Sequence, residues 1–134
     1  MDFLLLIGRI VLVVMFASSG LQKFGDISGT AAEIASKGLP VPQLLAIAAG
    51  ATEVIGAALI IVGWKTRWVA VVLMLFTAVA GYFFHDFWNY PEGAERMDQM
   101  VHAMKNLSII GAFLLLAGAG AGRYSIDGVS RRAI

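Results

Sequence analysis

The chain has 134 residues, of which 59% are hydrophobic and 14% are charged, and its formal net charge is +1. Soluble domains average roughly 45–50% apolar and about 25% charged residues, so this composition indicates a membrane protein. The small net charge gives no electrostatic support for a nucleic-acid partner. The absence of cysteine excludes disulfides, thiol redox chemistry and cysteine-ligated metal centres.

Four apolar segments are long enough to cross a bilayer as helices, because a helical span needs about 17–25 residues. In chain order they cover about residues 3–21, 41–63, 68–84 and 100–121. They predict an all-α fold, an integral membrane four-helix bundle, in which residues 1–134 form a single domain. A cleaved signal peptide is the alternative for the first segment, but it has no basic leading region and its apolar run is too long for such a peptide.

The connections between the spans carry turn and surface signals. Residues 38–42, with the sequence Gly-Leu-Pro-Val-Pro, are expected to end a surface segment and to start the second span, with a proline that suits an early helix position. Residues 63–68, with the sequence Gly-Trp-Lys-Thr-Arg-Trp, predict a tight basic turn with two tryptophans at the depth of the headgroups. Residues 87–98 are polar and predict a loop between the third and fourth spans.

The distribution of lysine and arginine predicts the orientation, because cytoplasmic loops carry an excess of these residues. The side that holds both termini carries Lys65, Arg67, Arg123, Arg131 and Arg132. The opposite side carries fewer, diluted by acidic residues: Lys23, Lys37 and Arg96. Both termini are therefore expected in the cytoplasm.

Three charged side chains fall inside the predicted spans: Arg9, Glu53 and Lys105. A charge at membrane depth costs several kcal/mol, so each should face a partner or a cavity. One interpretation is structural, with Glu53 in a buried ion pair with Arg9 or with Lys105 that fixes the order of the helices. The other is functional, with a desolvated Glu53 that exchanges protons or contacts a ligand.

A second polar cluster is expected near the outer ends of the spans, beneath the loop at residues 87–98. Its members could converge there, and they are Lys23, His85, Gln99, His102, Lys105 and Asn106. Donors beside an apolar pocket are typical of a small-molecule site. Aromatic, lysine and histidine side chains at the headgroups are equally typical of an interfacial belt. Two histidines beside lysines are a weak basis for a metal site, so none is predicted.

Short motifs occur in a fixed order along nearly the whole chain. They are Arg9, Gly20-Leu21-Gln22-Lys23, Gly38-Leu39-Pro40, Glu53 with Gly56, Gly63-Trp64-Lys65-Thr66-Arg67, His85-Asp86-Phe87-Trp88, the stretch 99–107 and the stretch 120–127. With these motifs the chain resembles the DoxX family of small four-helix membrane proteins, some of which are assigned as oxidoreductases. The resemblance implies a multi-pass protein of the bacterial inner (plasma) membrane. Carried over to matching positions, it implies a site formed by Lys23, Glu53, His85, Lys105 and Asn106.

Three functions remain open, each with the lipid bilayer as the environment. A redox subunit would act through a bound quinone or a partner oxidoreductase subunit. In that case the ligand-binding residues would be Lys23, His102, Lys105 and Asn106, and the proton-exchanging catalytic residues Glu53 and His85. A non-catalytic protein would instead hold a lipid, a metabolite or another small apolar ligand, or would assemble with other subunits or with itself. A small transporter is the third possibility, motivated by the charges inside the spans.

Overall fold

The structure, a computed structural model, describes residues 1–130. Its helices are α1 (Asp2–Gly25), α2 (Ile27–Ser36), α3 (Pro42–Val62), α4 (Thr66–Phe84), α5 (Ala94–Ala119) and α6 (Ile126–Ser130), with a 3₁₀ turn at Phe87–Asn89. No strand occurs in the described range, and α1, α3, α4 and α5 are each long and apolar enough to cross a membrane. The predicted all-α integral membrane bundle is confirmed.

The long helices alternate in direction, with α2 in the connection between α1 and α3 and shorter connections after α3 and α4. The terminal end of the bundle holds Met1, the turn at residues 63–65 and the end of α5, and the far end holds α2 and the 3₁₀ turn. α1 packs chiefly on α3 and α4 chiefly on α5, while α3 contacts α4 and α1 contacts α5 only sparingly. The bundle is therefore two helix pairs joined through α3 and α4.

Close approach of α1 and α3 depends on glycine. A Cβ atom on Gly20 would lie 2.9 Å from the carbonyl oxygen of Gly50 and 3.0 Å from Cβ of Glu53. Small residues at such positions let membrane helices pack backbone against backbone. The buried positions of α3 recur at helical spacing, at Ala46, Gly50, Glu53, Gly56, Ala57 and Ile60. Glu53 therefore lies on the face of α3 that α1 covers.

The apolar core fills the half of the bundle nearer the terminal end. Its fully buried side chains include Val13, Ile60, Leu73 and Phe113. The Phe16 and Phe113 rings meet edge to face with their centroids 5.3 Å apart, a favoured aromatic geometry. This core leaves the far half of the bundle less densely filled, and the polar residues of interest lie there.

The surface segment expected to end at residues 38–42 contains a helix, α2. Asp26 caps α2, since its carboxylate accepts a hydrogen bond from the Gly29 amide at 2.9 Å. Ala31 and Ile34 on the buried face of α2 pack against Ala46 of α3. α2 is therefore a packed element of the far end rather than a free surface segment.

The terminal end is fixed by side chains that cap helices. Asp127 accepts hydrogen bonds from the amides of Lys65 at 2.8 Å and Thr66 at 2.9 Å, at the start of α4. The guanidinium of Arg67 donates to the carbonyls of Ala117 at 2.8 Å and Gly118 at 2.6 Å, near the end of α5. The negative Asp127 thus lies at the N-terminus of α4 and the positive Arg67 at the C-terminus of α5, and each charge is the one that the helix dipole favours at that end.

Candidate functional site

A cavity of about 600 Å³ lies between the two helix pairs in the far half of the bundle, with α2 beside it. Most of its lining is apolar, including Phe16, Phe76 and Phe83. The polar and charged side chains on its wall are Ser19, Lys23, Thr30, Glu33, Thr52, Glu53, Thr77, His85, Lys105 and Asn106. An apolar cavity of this size with a few convergent polar groups is the usual form of a small-molecule site.

An ion pair between Lys23 and Glu53 forms one side of the cavity wall. The Lys23 ammonium lies 2.9 Å from Oε2 of Glu53, at an angle that makes the contact ionic rather than a hydrogen bond. Ser19 links the two charges, because its hydroxyl accepts a hydrogen bond from Lys23 at 2.7 Å and donates one to Oε1 of Glu53 at 3.1 Å. The Glu53 side chain is only 7% exposed, so its negative charge is compensated inside the protein.

The local geometry of α1 explains why Lys23 turns inward. Side chains on a helix point toward its N-terminus, and the N-terminus of α1 lies at the terminal end. Lys23 therefore reaches back one turn to Ser19 and meets Glu53, rather than extending to the membrane surface at the far end. Gly20, which allows α3 to approach, brings Glu53 within reach.

Both expected partners of Glu53 prove wrong, because no ion pair joins Glu53 to Arg9 or to Lys105 in the described part of the chain. Arg9 lies at the terminal end, where its guanidinium donates to the carbonyl of Ala121 at 2.8 Å and to the carbonyl of Tyr124. The physical reason is that the chain after α5 folds back over α1 and offers carbonyl oxygens there. Arg9 is buried and has a structural role. It binds backbone carbonyl groups of the segment after α5 rather than the carboxylate of Glu53.

Two histidines form a polar cluster with Lys105 on the opposite side of the cavity. The His85 ring at the end of α4 stacks on the His102 ring of α5, with centroids 5.0 Å apart and an interplanar angle of 17°. Nδ1 of His85 lies 3.0 Å from Oε1 of Gln99, and the Lys105 ammonium lies 3.1 Å from Nδ1 of His102. Nε2 of His102 lies 3.7 Å from the exposed carboxylate of Asp98.

Lys105 and Asn106 have hydrogen-bonding capacity left over. Within residues 1–130, the Lys105 ammonium has the His102 ring as its contact and no carboxylate within ion-pair distance. The Asn106 amide forms no hydrogen bond to another described residue, and it lies over Gly81, where a Cβ atom would be 3.2 Å from its nitrogen. Both side chains can therefore donate to a molecule in the cavity.

The structure brings together five of the residues predicted for the site: Lys23, Glu53, His85, Lys105 and Asn106. His102 lies beside the cavity rather than on its wall and contacts it through His85 and Lys105. Arg9 is at the other end of the bundle. The roles assigned to these residues remain predictions.

Sequence reasoning missed five polar side chains of the cavity wall, which are Ser19, Thr30, Glu33, Thr52 and Thr77. Ser19 could have been found from its spacing, because it lies four residues before Lys23 on the same helix face. Thr30 and Glu33 required the recognition of α2, whose sequence signal is the capping residue Asp26.

A second ion pair ties the far-end connections together. The Lys37 ammonium lies 2.8 Å from Oδ1 of Asp86. Oδ2 of Asp86 accepts a hydrogen bond from the side-chain amide of Asn89 at 2.8 Å. The hydrogen bond with Asp86 raises the pKa of Lys37 above its ordinary value. Lys37 follows α2 and Asp86 follows His85, so this pair links the segment after α2 to the cavity wall.

These features define a class of protein: a small multi-pass membrane protein whose helices flank a largely apolar, ligand-sized cavity with a few charged residues on its wall. The DoxX family model matches residues 4–86, which is more than half of the chain. The chain belongs to the DoxX family, as its motifs predicted.

Similar proteins support the assignment to membrane proteins. The chain is similar to inner membrane protein YphA of Escherichia coli (strain K12), with 41% identity over 124 residues that cover 92% of this chain and 88% of that protein. It is 33% identical to inner membrane protein YqjF of the same organism over 129 residues, 94% of this chain and 91% of that protein. The Surfeit locus protein 4 homolog of Schizosaccharomyces pombe (strain 972) is 28% identical over 123 residues, 91% of this chain and 36% of that protein. No solved structure matches the chain.

Proposed function

We propose that this protein is a quinone-binding subunit of a membrane oxidoreductase system in the bacterial inner membrane. The observation that carries the proposal is the cavity in which the Lys23–Glu53 ion pair faces the group formed by His85, Lys105 and Asn106. A quinone head group is flat, apolar on its faces and polar at its two oxygens. An apolar cavity with donors on two sides suits that pattern.

Each polar residue has a role in this proposal. Lys105 and Asn106 donate hydrogen bonds to one oxygen of the head group, since both retain unused donors. Lys23 faces the other oxygen from the opposite wall. Preorganised donors of this kind stabilise negative charge that develops on the oxygens.

Glu53 and His85 are the residues proposed to exchange protons with the bound molecule. Reduction of a quinone to a quinol takes up two electrons and two protons. The electrons come from a partner redox subunit, and the protons enter through the side chains on the cavity wall. Ser19 holds the Glu53 carboxylate in place through its hydrogen bond.

The test is a titration of the purified wild-type protein, in lipid nanodiscs, with a short-tailed ubiquinone analogue. Lys105→Met is expected to weaken binding about tenfold or more, because a charged hydrogen bond to the ligand is lost. Lys65→Met, which removes a lysine at the terminal end outside the cavity, is the matched control and is expected to bind as the wild type does. Absence of quinone from gently purified protein, together with no binding in titration, contradicts the proposal. Binding with no effect of these residues on turnover of a partner favours a non-catalytic ligand-holding role.

We infer that both termini face the cytoplasm and that residues 1–134 act as one domain. The sequestration of Lys23 in the Lys23–Glu53 pair supports the orientation, because it removes one lysine from the far-end connections.

A further inference from the structure

A second depression lies on the outer surface of α1 and adjoins the cavity. It has a volume of about 630 Å³ and is lined by Val11, Val14, Met15, Ser18, Ser19 and Gln22. Met15 and Ser19 also line the cavity, so these two side chains form the boundary between the two spaces. We call this depression the α1 groove.

The chemistry of the α1 groove changes along the helix. Toward the terminal end it is formed by Val11 and Val14, which are 66% and 58% exposed. Toward the far end it is formed by Ser18 and Gln22, whose side chains hydrogen-bond to each other at 3.1 Å. Val11 and Gln22 are separated by about 16 Å along the helix axis, at 1.5 Å per residue. The groove is therefore apolar deep in the membrane and polar near its surface.

Packing leaves this side of the cavity unsealed. α1 and α5 contact each other sparingly, and the cavity-lining residues Met15 on α1 and Lys105 on α5 are both exposed. An exposed methionine can move aside easily because its side chain is unbranched and flexible. Lining residues on the other side of the cavity, Ala48 of α3 and Val79 of α4, are exposed as well. Met15 therefore marks one of two places at which the cavity borders the lipid phase without the packed core between them.

We propose that the α1 groove holds the isoprenoid tail of a membrane quinone whose head group occupies the cavity. The head lies at the level of Lys105 and His85, and the tail passes Met15 and follows Val14 and Val11 toward the centre of the bilayer. This order of polar head and apolar tail matches the polarity of one membrane leaflet. The proposal rests on the proposed function for the identity of the head group, and it adds that the ligand is a long-tailed lipid rather than a water-soluble metabolite.

The first test compares two quinones that share a head group, one with a short tail and one with a long isoprenoid tail. Each is titrated against the wild type, the double variant Val11→Gln/Val14→Gln and the matched control Leu21→Gln, which changes an exposed leucine of α1 outside the groove. The preference of the wild type for the long tail is expected to fall about tenfold in the double variant, since apolar contact is lost, and to persist in the control. An unchanged preference in the double variant overturns the proposal. If the wild type binds neither quinone, the proposed function itself fails.

The second test needs no variant, so it remains decisive if polar groove residues prevent folding. A long-tailed quinone with a photoreactive diazirine on its tail is bound to the wild-type protein, irradiated and located by peptide mass spectrometry. Labelling is expected within residues 11–22 of α1. Labelling confined to the other side of the cavity, at Ala48 of α3 and Val79 of α4, shows that the tail leaves by another route and overturns the proposal.

Discussion

The ammonium of Lys23 lies 2.9 Å from the carboxylate of Glu53. Lys23 is in the last turn of α1, near the membrane surface, whereas Glu53 is in the middle of α3. A lysine at that position could extend outward to the headgroups at little cost. It turns inward instead because a buried carboxylate without a partner is expensive. The direction in which side chains leave α1 and the burial of Glu53 therefore both favour the inward position of Lys23.

This asymmetry predicts that the two single substitutions have unequal effects. Lys23→Met leaves Glu53 buried and without its cation, and is expected to lower the free energy of unfolding by about 3–5 kcal/mol. Glu53→Gln is expected to cost less, because the freed Lys23 can reach the headgroups. The measurement is unfolding of the purified variants in mixed detergent micelles. The double variant Lys23→Met/Glu53→Gln should recover part of the loss, and strictly additive effects would rule out the coupling.

Gly20 is predicted to tolerate no side chain, because α3 lies directly against it. Gly20→Ala places a methyl group 2.9 Å from the carbonyl oxygen of Gly50 and is expected to push α1 away from Glu53. The loss of unfolding free energy should be about 1–3 kcal/mol. Gly8→Ala is the matched control on the same helix, since nothing lies within 4 Å of a Cβ there. The Gly8→Ala control should be neutral or should stabilise the protein by up to about 1 kcal/mol. If Gly20→Ala proved more stable to unfolding than Gly8→Ala, the close packing at Gly20 would be contradicted.

Arg9 is predicted to hold the chain after α5 against the bundle. Arg9→Met removes the donors to the carbonyls of Ala121 and Tyr124 and is expected to release this segment, at a cost of about 3 kcal/mol. Trypsin cleavage after the exposed Arg123 should then become faster than in the wild type. Ile10→Met changes the next residue of α1, which is exposed, and serves as the control. Equal cleavage rates in Arg9→Met and wild type would show that Arg9 does not anchor the segment.

The fold and the grouping of several polar side chains at the far end could be predicted from sequence for one shared reason. Long apolar segments have few alternatives to membrane helices, and a period of 3.6 residues assigns each polar side chain to a face. That argument placed Lys105 and Asn106 on one face of the fourth span, near His85, in either a pocket or an interfacial belt. In the structure all three line the cavity.

The pairing of the charges required information that periodicity does not carry. The helix faces predicted Arg9 or Lys105 as the partner of Glu53, whereas the structure pairs Glu53 with Lys23. That pairing depends on the direction in which the Lys23 side chain leaves its helix. The partner of Arg9 depended on the path of the chain after α5, where two carbonyl groups are offered by residues more than 110 positions away. Such contacts arise from tertiary structure and leave no local pattern.

The ion pair between Lys37 and Asp86 is predicted to persist over the physiological pH range. The pKa of Lys37 is raised in the folded protein, so its stabilising contribution is complete below the ordinary value of 10.5 and is lost as the pH rises through the higher folded-state value. Fluorescence of the nearby Trp88, in a background with Trp64→Phe and Trp68→Phe, should stay constant between about pH 6 and 9 and change above about pH 10.5.

Asp86→Asn provides the comparison for this titration. It removes the partner carboxylate and with it the raised pKa of Lys37, so no ion pair is left to lose at high pH and the fluorescence change seen in the wild type should be absent. The loss of stability should be about 1 kcal/mol, since both side chains are partly exposed. An identical titration of the wild type and Asp86→Asn would show that the pair does not control the far-end connections.

The orientation is predicted to place the terminal end in the cytoplasm. With Lys23 withdrawn into the bundle, the far end presents Lys37 and Arg96, whereas the terminal end carries Lys65, Arg67 and Arg123 together with Arg131 and Arg132, which lie outside the described residues. Alkaline phosphatase inserted at Gly93, a turn with open space around it, should be active because it is exported. Green fluorescent protein fused to the C-terminus should fluoresce because it stays in the cytoplasm. The reverse pattern would show that the lysine and arginine bias does not set the topology of this bundle.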